Sequence, residues 1–375
     1  TSRTDPDVLL IGSQYLWKTT NEGRTWTKIS PDLTRADTAT MEDSGGPIVM
    51  DQDGPEIYPT IYTIAPSAHN GETIWTGSDD GLVHVTKSGG AVWRDVTPPD
   101  MPEHTRITLI EASPHRPASA YVAGIRYEMD DRAPYAWRTD DYGQSWTKIV
   151  DGIRSDDFVR VVREDPNREG LLYAGTEHGV YISFDNGDSW SGLSFNLPDV
   201  PVTGLVVEDR DLVISTHGRS FWVLDDIETL RQIEADVLQT ESHLFEPADA
   251  FRRSIPAVVD YYVRGPSQHV RIDILNAGGR HVRTLFEGTQ GQGTHRQGWN
   301  LRYPGAVTFE GIVLEGGDPA RGPWAPPGQY QVRLVIDGRE QLHSFNVRRD
   351  PRLTEVTDDD LLAQFKLARA IRDQE

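Results

Sequence analysis

The chain has 375 residues, with 37 Lys plus Arg against 58 Asp plus Glu, a formal net charge of −21, and no cysteine. That balance argues against nucleic acid or an anionic membrane bound through the global field, and the missing cysteine excludes disulfides, thiol nucleophiles and thiolate metal sites together. A length beyond one ordinary domain, with 34 Gly, 24 Pro, 10 Trp and 13 Tyr, favours two units built of short strands and turns.

No run approaches the roughly eighteen apolar residues of a membrane span. Thr1 opens without a charged and apolar leader, which leaves a removed signal or a fragment as the expectation. In chain order, one eight-residue pattern recurs: Thr19-Thr-Asn-Glu-Gly-Arg-Thr-Trp26, a worn copy Thr86-Lys-Ser-Gly-Gly-Ala-Val-Trp93, then Thr139-Asp-Asp-Tyr-Gly-Gln-Ser-Trp146 and Ser183-Phe-Asp-Asn-Gly-Asp-Ser-Trp190. Each copy reads as a hairpin turn. Asn21, Asp141 or Asp185 folds its side-chain oxygen onto backbone N–H groups one or two residues on, and Gly23, Gly143 or Gly187 supplies a positive φ. Trp26, Trp93, Trp146 and Trp190 then return to the sheet as large apolar rings.

From Trp26 to Trp93, Trp146 and Trp190 the intervals are 67, 53 and 44 residues. Periods of about 40 to 50 with four strands each point to propeller blades. The long first interval is explained by a polar surface loop, Thr34 to Tyr58, containing Glu42 to Pro47. Each full repeat opens on an alternating strand, such as Ile107-Thr-Leu-Ile110 or Val159-Arg-Val-Val162. In most copies a second strand follows, ending in Gly77, Gly124 or Gly175, and the third and fourth strands flank the turn. Residues 1 to 30 hold only the later part of a repeat, from Val8 to Gly12 onward, so the chain is expected to enter mid-blade. Its open edge would be satisfied by further N-terminal sequence or by another chain, unless a small propeller closes on itself.

The expected architecture is all-β: a partial β-propeller of about four to five four-stranded blades, an Ig-like β-sandwich and a short C-terminal helix. The boundaries read as 1–230 for the blades, 231–262 for a connecting segment docked by Leu244 and Phe245, 263–350 for the sandwich and 351–375 for the helix. Val270 to Leu275, the turn Asn276-Ala-Gly-Gly279 and His281 to Leu285 form a hairpin; Trp299 to Tyr303, Gly328 to Ile336 and Gln341 to Val347 add strands. At the end, Thr357 with Asp360 reads as a helix cap, and Leu361, Phe365, Ala368 and Ile371 fall on one stripe.

The turn pattern resembles the Asp-box, or BNR, repeat of sialidases, xyloglucanases and sortilin-like propellers. More narrowly, Thr176 to Ser183, Pro198 to Val202 and Ser215 to Asp226 resemble the last blades of large exported bacterial proteins labelled "glycosyl hydrolase" or sortilin-like. In those proteins a sandwich similar to that of the flagellar-hook capping protein follows. The matching pieces here are Val270 to Leu285, Trp299-Asn-Leu301 and Ala325 to Tyr330. The resemblance covers the C-terminal part of the family's usual length and implies a periplasmic or extracellular location. It fixes no active site, because the repeat itself builds blades.

Chemistry is harder to place. Glycosidases need two carboxylates across a cleft. The doublets Asp79-Asp80, Asp130-Asp131, Asp156-Asp157 and Asp225-Asp226 are the acids at strand ends, with solvated turns as their bland use. Sialidase-type chemistry would draw on Arg126, Tyr127, Tyr135 and Arg219, though nothing in their spacing singles them out. His217 and Arg219 either line a central channel or sit in a turn relieved by Gly218. The histidines show no helical i, i+4 metal pair, and Asp358 to Asp360 suits a helix N-terminus, so neither metal nor cofactor is expected, with a loop-held calcium ion as the remaining alternative. The reading is therefore a non-catalytic binding or scaffold module, an exported extrinsic subunit. Its partner is a protein completing or capping the propeller edge, membrane complexes included, with a glycan as the other candidate ligand. The alternative is a glycoside hydrolase, sialidase- or xyloglucanase-like, whose cleft needs further N-terminal blades.

Overall fold

In a computed structural model the chain divides into two compact units, Thr1–Ile227 and Glu228–Glu375. The structure describes residues 1–40, 58–234, 236–253, 255–307, 318 and 320–373; the stretch Glu42 to Pro47 of the polar insertion lies outside them.

The first unit is a row of antiparallel sheets, each joined in sequence order by hairpins. They are β1 (Leu9–Gly12), β2 (Leu16–Thr19) and β3 (Thr27–Lys28); β4 (Ile61–Pro66), β5 (Ile74–Ser78), β6 (Val83–Thr86) and β7 (Trp93–Asp95); β8 (Arg106–Ala112), β9 (Ala120–Arg126), β10 (Asp131–Thr139) and β11 (Thr147–Lys148). Then come β12 (Val159–Glu164), β13 (Leu172–Thr176), β14 (Gly179–Ser183) and β15 (Ser191–Gly192), and last β16 (Val202–Val207), β17 (Leu212–Thr216) and β18 (Phe221–Leu224). This is a partial β-propeller of five blades among the described residues, the middle three four-stranded. The first sheet carries its turn pattern between β2 and β3, so β1 corresponds to the second strand of the complete blades.

A blade has two apolar faces, so its core lies between it and its neighbours. Leu16, Leu33, Ile61 and Ile74 pack between blades one and two. Trp75, Val85, Ile107, Ile110 and Trp137 fill the space between blades two and three, and Tyr121, Ile149, Val162, Leu172 and Trp190 that between three and four. The glycines that end the second strands let the next inner strand approach. A Cβ on Gly77 would lie 2.4 Å from Ile107, and one on Gly175 would lie 2.7 Å from Val202.

The turn pattern does two jobs. Within the turn, Asp185 Oδ1 accepts from the N–H of Ser189, four residues on, at 2.9 Å, and Ser183 Oγ accepts from Gly187 N–H at 2.9 Å. Asp141 and Asn21 repeat the bond to Ser145 and Thr25 at 2.9 and 3.0 Å. The aspartate therefore spans the whole turn, whereas the sequence suggested contacts one or two residues on. The difference arises because the Ser or Thr two residues before it takes the nearer N–H groups. Between blades, three of the four indoles reach back to the preceding blade: Trp93 Nε1 donates to Ile29 O at 2.9 Å, Trp146 to Val96 O at 2.7 Å and Trp190 to Ile149 O at 3.0 Å.

The second unit begins with α1 (Glu228–Gln232). It packs β19 (Ser242–Leu244), β21 (Ala257–Val263) and β24 (Gly293–Trp299) against β20 (Ala250–Phe251), β26 (Arg339–Arg348), β25 (Gly328–Ile336), β22 (Ser267–Asn276) and β23 (His281–Gln290), and ends in α2 (Asp358–Arg372). Val259, Tyr261, Ile272, Trp299, Val332 and Phe345 belong to one core shared by both sheets, which makes the unit a two-sheet sandwich. The sequence reads 231–262 as a connector, yet these residues carry β19, β20 and most of β21. The first two strands are too short to show a period of two. The strand expected from Trp299 to Tyr303 instead runs before it, and Trp299 closes β24. Thr357 and Asp360 form a reciprocal cap on α2, and Phe365 lies on the Tyr303 ring with centroids 4.7 Å apart.

Candidate functional site

In an up-and-down blade the first-to-second and third-to-fourth hairpins share one end, and the second-to-third hairpins share the other with the connections between blades. Asn21, Gly23, Trp26, Trp93, Asp141, Gly143, Trp146, Asp185, Gly187 and Trp190 all lie at third-to-fourth hairpins. Three of the four acidic doublets lie at the opposite end: Asp79-Asp80 between β5 and β6, Asp130-Asp131 at the start of β10, and Asp156-Asp157 before β12. Asp225-Asp226 follows β18.

On blades two to four this opposite face carries a continuous run of charged and aromatic groups. Tyr58 OH meets His104 Nδ1 at 3.2 Å. Arg106 pairs with Glu128 at 2.7 Å and lies 5.6 Å over the Tyr62 ring. Tyr127 stacks on Phe158 with centroids 5.4 Å apart, and Arg160 covers Phe158 at 4.9 Å while pairing with Glu177 at 2.7 Å. Tyr58, His104, Arg106 and Arg160 carry no motif. Their signal in the sequence is confined to a basic residue entering an inner strand.

Most acids here hold the scaffold. Asp80, buried, accepts from the Arg35 backbone N–H at 2.6 Å and from the Ser78 hydroxyl. Asp157, fully buried, accepts from His178 N–H at 3.0 Å and Tyr181 OH at 3.1 Å. Asp131 accepts from Ala133 N–H at 3.1 Å, Tyr135 OH at 2.8 Å and Arg126 Nε at 3.0 Å, and these bonds lower its pKa against the effect of burial. Arg126, Tyr127 and Tyr135 thus come together around one hairpin, but Arg219 sits apart on blade five. His217 and Arg219 are exposed at the β17–β18 turn, with no side-chain partner for either among the described residues. Gly218 there has a φ of +87° and Ser220 one of +64°.

Asp79 is the exception. Burial, reinforced by the Asp80 charge, pushes its carboxyl up to about 6, against the opposing pull of Thr60 N–H at 2.8 Å and of Arg106. A carboxyl with a raised folded pKa favours the fold while protonated: this contribution is full below the unfolded value near 3.8 and is lost as pH rises through about 6. Asp79→Asn should therefore stabilise the first unit at pH 8 by about 2 to 3 kcal/mol and leave it unchanged at pH 4. Urea unfolding at the two pH values checks this, and an equal change at both would contradict it. Among the described residues no group of three His, Asp or Glu is placed to hold a metal. No described helix is long and apolar enough to cross a membrane.

Comparison with protein-family profiles and with curated sequences yields no match. Solved structures similar to the chain include YCF48 bound to D1 peptide, at 14 % identity over 79 % of this chain and 91 % of that one, with a TM-score of 0.40. They also include a GH74 enzyme of Niastella koreensis (12 %, 93 % and 53 %, TM-score 0.44) and a GH74 xyloglucanase of Xanthomonas campestris (13 %, 90 % and 63 %, TM-score 0.45). The chain spans less than two thirds of either enzyme. At these scores the likenesses carry no functional argument, and the chain's own blades carry the fold: a partial β-propeller with a second β unit.

Proposed function

We propose that the chain is a non-catalytic binding module, an extrinsic subunit of an assembly outside the cytoplasm, whose last blade takes a protein partner. The observation that carries this is the outer face of blade five. In register, Val206, Val213 and Val223 stand side by side across β16, β17 and β18, with Phe221 next to them. Val206 is 49 %, Val223 52 % and Phe221 75 % exposed. In every complete blade the equivalent face is buried against a neighbour, so an apolar protein surface, such as another blade presents, fits here. The location follows from the resemblance of the last blades to those of large exported bacterial proteins, and the second unit is proposed to be Ig-like from its strand pattern and from the sandwich that follows the blades in those proteins.

The test is copurification from the source with a stoichiometric protein, abolished by Val223→Asp with unit one still folded. Polysaccharide turnover by the chain, lost in Asp79→Asn, would overturn the proposal. That outcome defines the second reading, a glycoside hydrolase, which the raised pKa of Asp79 favours. It requires a second carboxylate within roughly 5 to 9.5 Å across a cleft, and the neighbouring Asp80 is already committed to Arg35 and Ser78.

A further inference from the structure

A cavity of about 390 Å³ opens in the second unit beside α2. Its wall is unusual for a chain of net charge −21, because four arginines line it: Arg252, Arg302, Arg321 and Arg372. Arg302 lies 3.9 Å over the Trp324 ring, and Arg252 and Arg253 each lie 6.0 Å from it. Arg321 lines the same cavity.

Their partners are the decisive feature. Arg252, only 4 % exposed, donates Nε to Ala325 O at 3.2 Å and a terminal nitrogen to Gln364 Oε1 at 2.6 Å. Arg302 donates to Gly322 O at 2.8 Å. All three acceptors are neutral. Arg372 pairs with Asp373, whereas among the described residues Arg252, Arg302 and Arg321 form no ion pair. The carboxylate of Asp318, which also lines the cavity, accepts from Ala320 N–H at 3.0 Å and makes no ion pair with these arginines among the described residues. A guanidinium has five donors, so most of those on Arg252 and Arg302 remain available. Burial, and next the neighbouring guanidiniums, lower the pKa of both. Elsewhere in the unit buried charge is paired: Asp273 has Arg271 and Arg333, and Asp260 has Arg296. Among the described residues Arg252 and Arg302 stand together on neutral acceptors, an arrangement of like charges that costs stability unless an anion arrives.

We propose that this cavity binds an organic anion, a carboxylate or phosphate group carried on an apolar body. The oxyanion sits among the guanidiniums, whose planar forks match it. Its apolar body packs on Phe365, Ala368 and Ile371 of α2 beside Trp324. The volume falls in the range of roughly 300 to 1,000 Å³ usual for small-molecule sites.

The test is calorimetric titration of the full chain with phenyl phosphate, phenylacetate and inorganic phosphate. Saturable binding of phenyl phosphate or phenylacetate is expected, with inorganic phosphate weaker, and the tighter of the two organic probes identifies the oxyanion. Arg302→Gln should weaken binding at least about tenfold, the loss of one charge-assisted contact. Arg321→Gln, on the exposed rim and clear of the core, should weaken it several-fold and covers the case in which Arg302→Gln misfolds. Absence of saturable binding of both organic probes up to about 10 mM, or affinities unchanged in folded Arg302→Gln and Arg321→Gln, would overturn the assignment.

Discussion

Replacing Trp190 by alanine is expected to destabilise the first unit by about 3 to 5 kcal/mol. The indole is 4 % exposed, packs into the core between blades three and four, and donates to Ile149 O at 3.0 Å. Alanine removes both the buried ring and the bond, leaving a cavity between two sheets that meet face to face. Trp190→Phe separates the terms, because a ring remains while the carbonyl loses its donor, and its expected cost is about 1 to 2 kcal/mol. Urea denaturation of the pair decides the matter. A loss below about 1 kcal/mol in the alanine variant would mean that the blades hold together without this residue.

In the second unit the largest effect is expected from Asp273→Ala, again about 3 to 5 kcal/mol. The carboxylate is fully buried, accepts from Arg333 at 2.7 Å, Thr284 Oγ1 at 2.7 Å and Arg271 Nε at 3.0 Å, and lies 3.3 Å from His281 Nε2. Its removal leaves two guanidiniums facing each other in the sheet. Burial alone would raise the pKa of Asp273, but the bonds from Arg333, Thr284 and Arg271 outweigh it and hold the carboxyl low. A lowered folded pKa contributes stability that is present above the unfolded value, near 3.9 for Asp. That stability disappears as pH falls through the folded value. The second unit should thus weaken on the acid side, where Asp79 in the first unit is most favourable. Acid titration of Asp273→Ala should show a shallower loss than that of the parent chain, and an identical acid limb would refute the role.

The blades were legible in the sequence because their markers are local. A turn closed by Asp185, Gly187 and Ser183 requires those residue types at those offsets whatever surrounds it, so the repeats could be counted along the chain. What the indoles bind was not legible, since Ile149 lies 41 residues from Trp190. The same limit hid the raised pKa of Asp79, which depends on Asp80, Thr60 and Arg106 being folded around it. In the second unit, β19 and β20 were missed because three and two residues are too few to display alternation. The arginines of the cavity beside Trp324 stand at 252, 302, 321 and 372, and only the fold brings them to one wall.

The indole bonds also have a direction. Each runs from a blade to the one before it, so blade four is clamped to three, three to two and two to one. Blade five has no fourth strand and no such indole among the described residues; Trp222 Nε1 turns back to Arg219 O of its own hairpin. It meets blade four through Val202 against Gly175, through Leu212, Ile214 and Trp222 beside Val180 and Leu193, and through the Arg163 Nε bond to Leu205 O at 3.2 Å. In a stack whose cohesion is a sum over neighbouring interfaces, the weakest interface sets where opening starts. Blade five therefore joins the stack by packing and backbone bonds without the indole clamp of the earlier interfaces, and it is the blade that bears the uncovered valine and phenylalanine face.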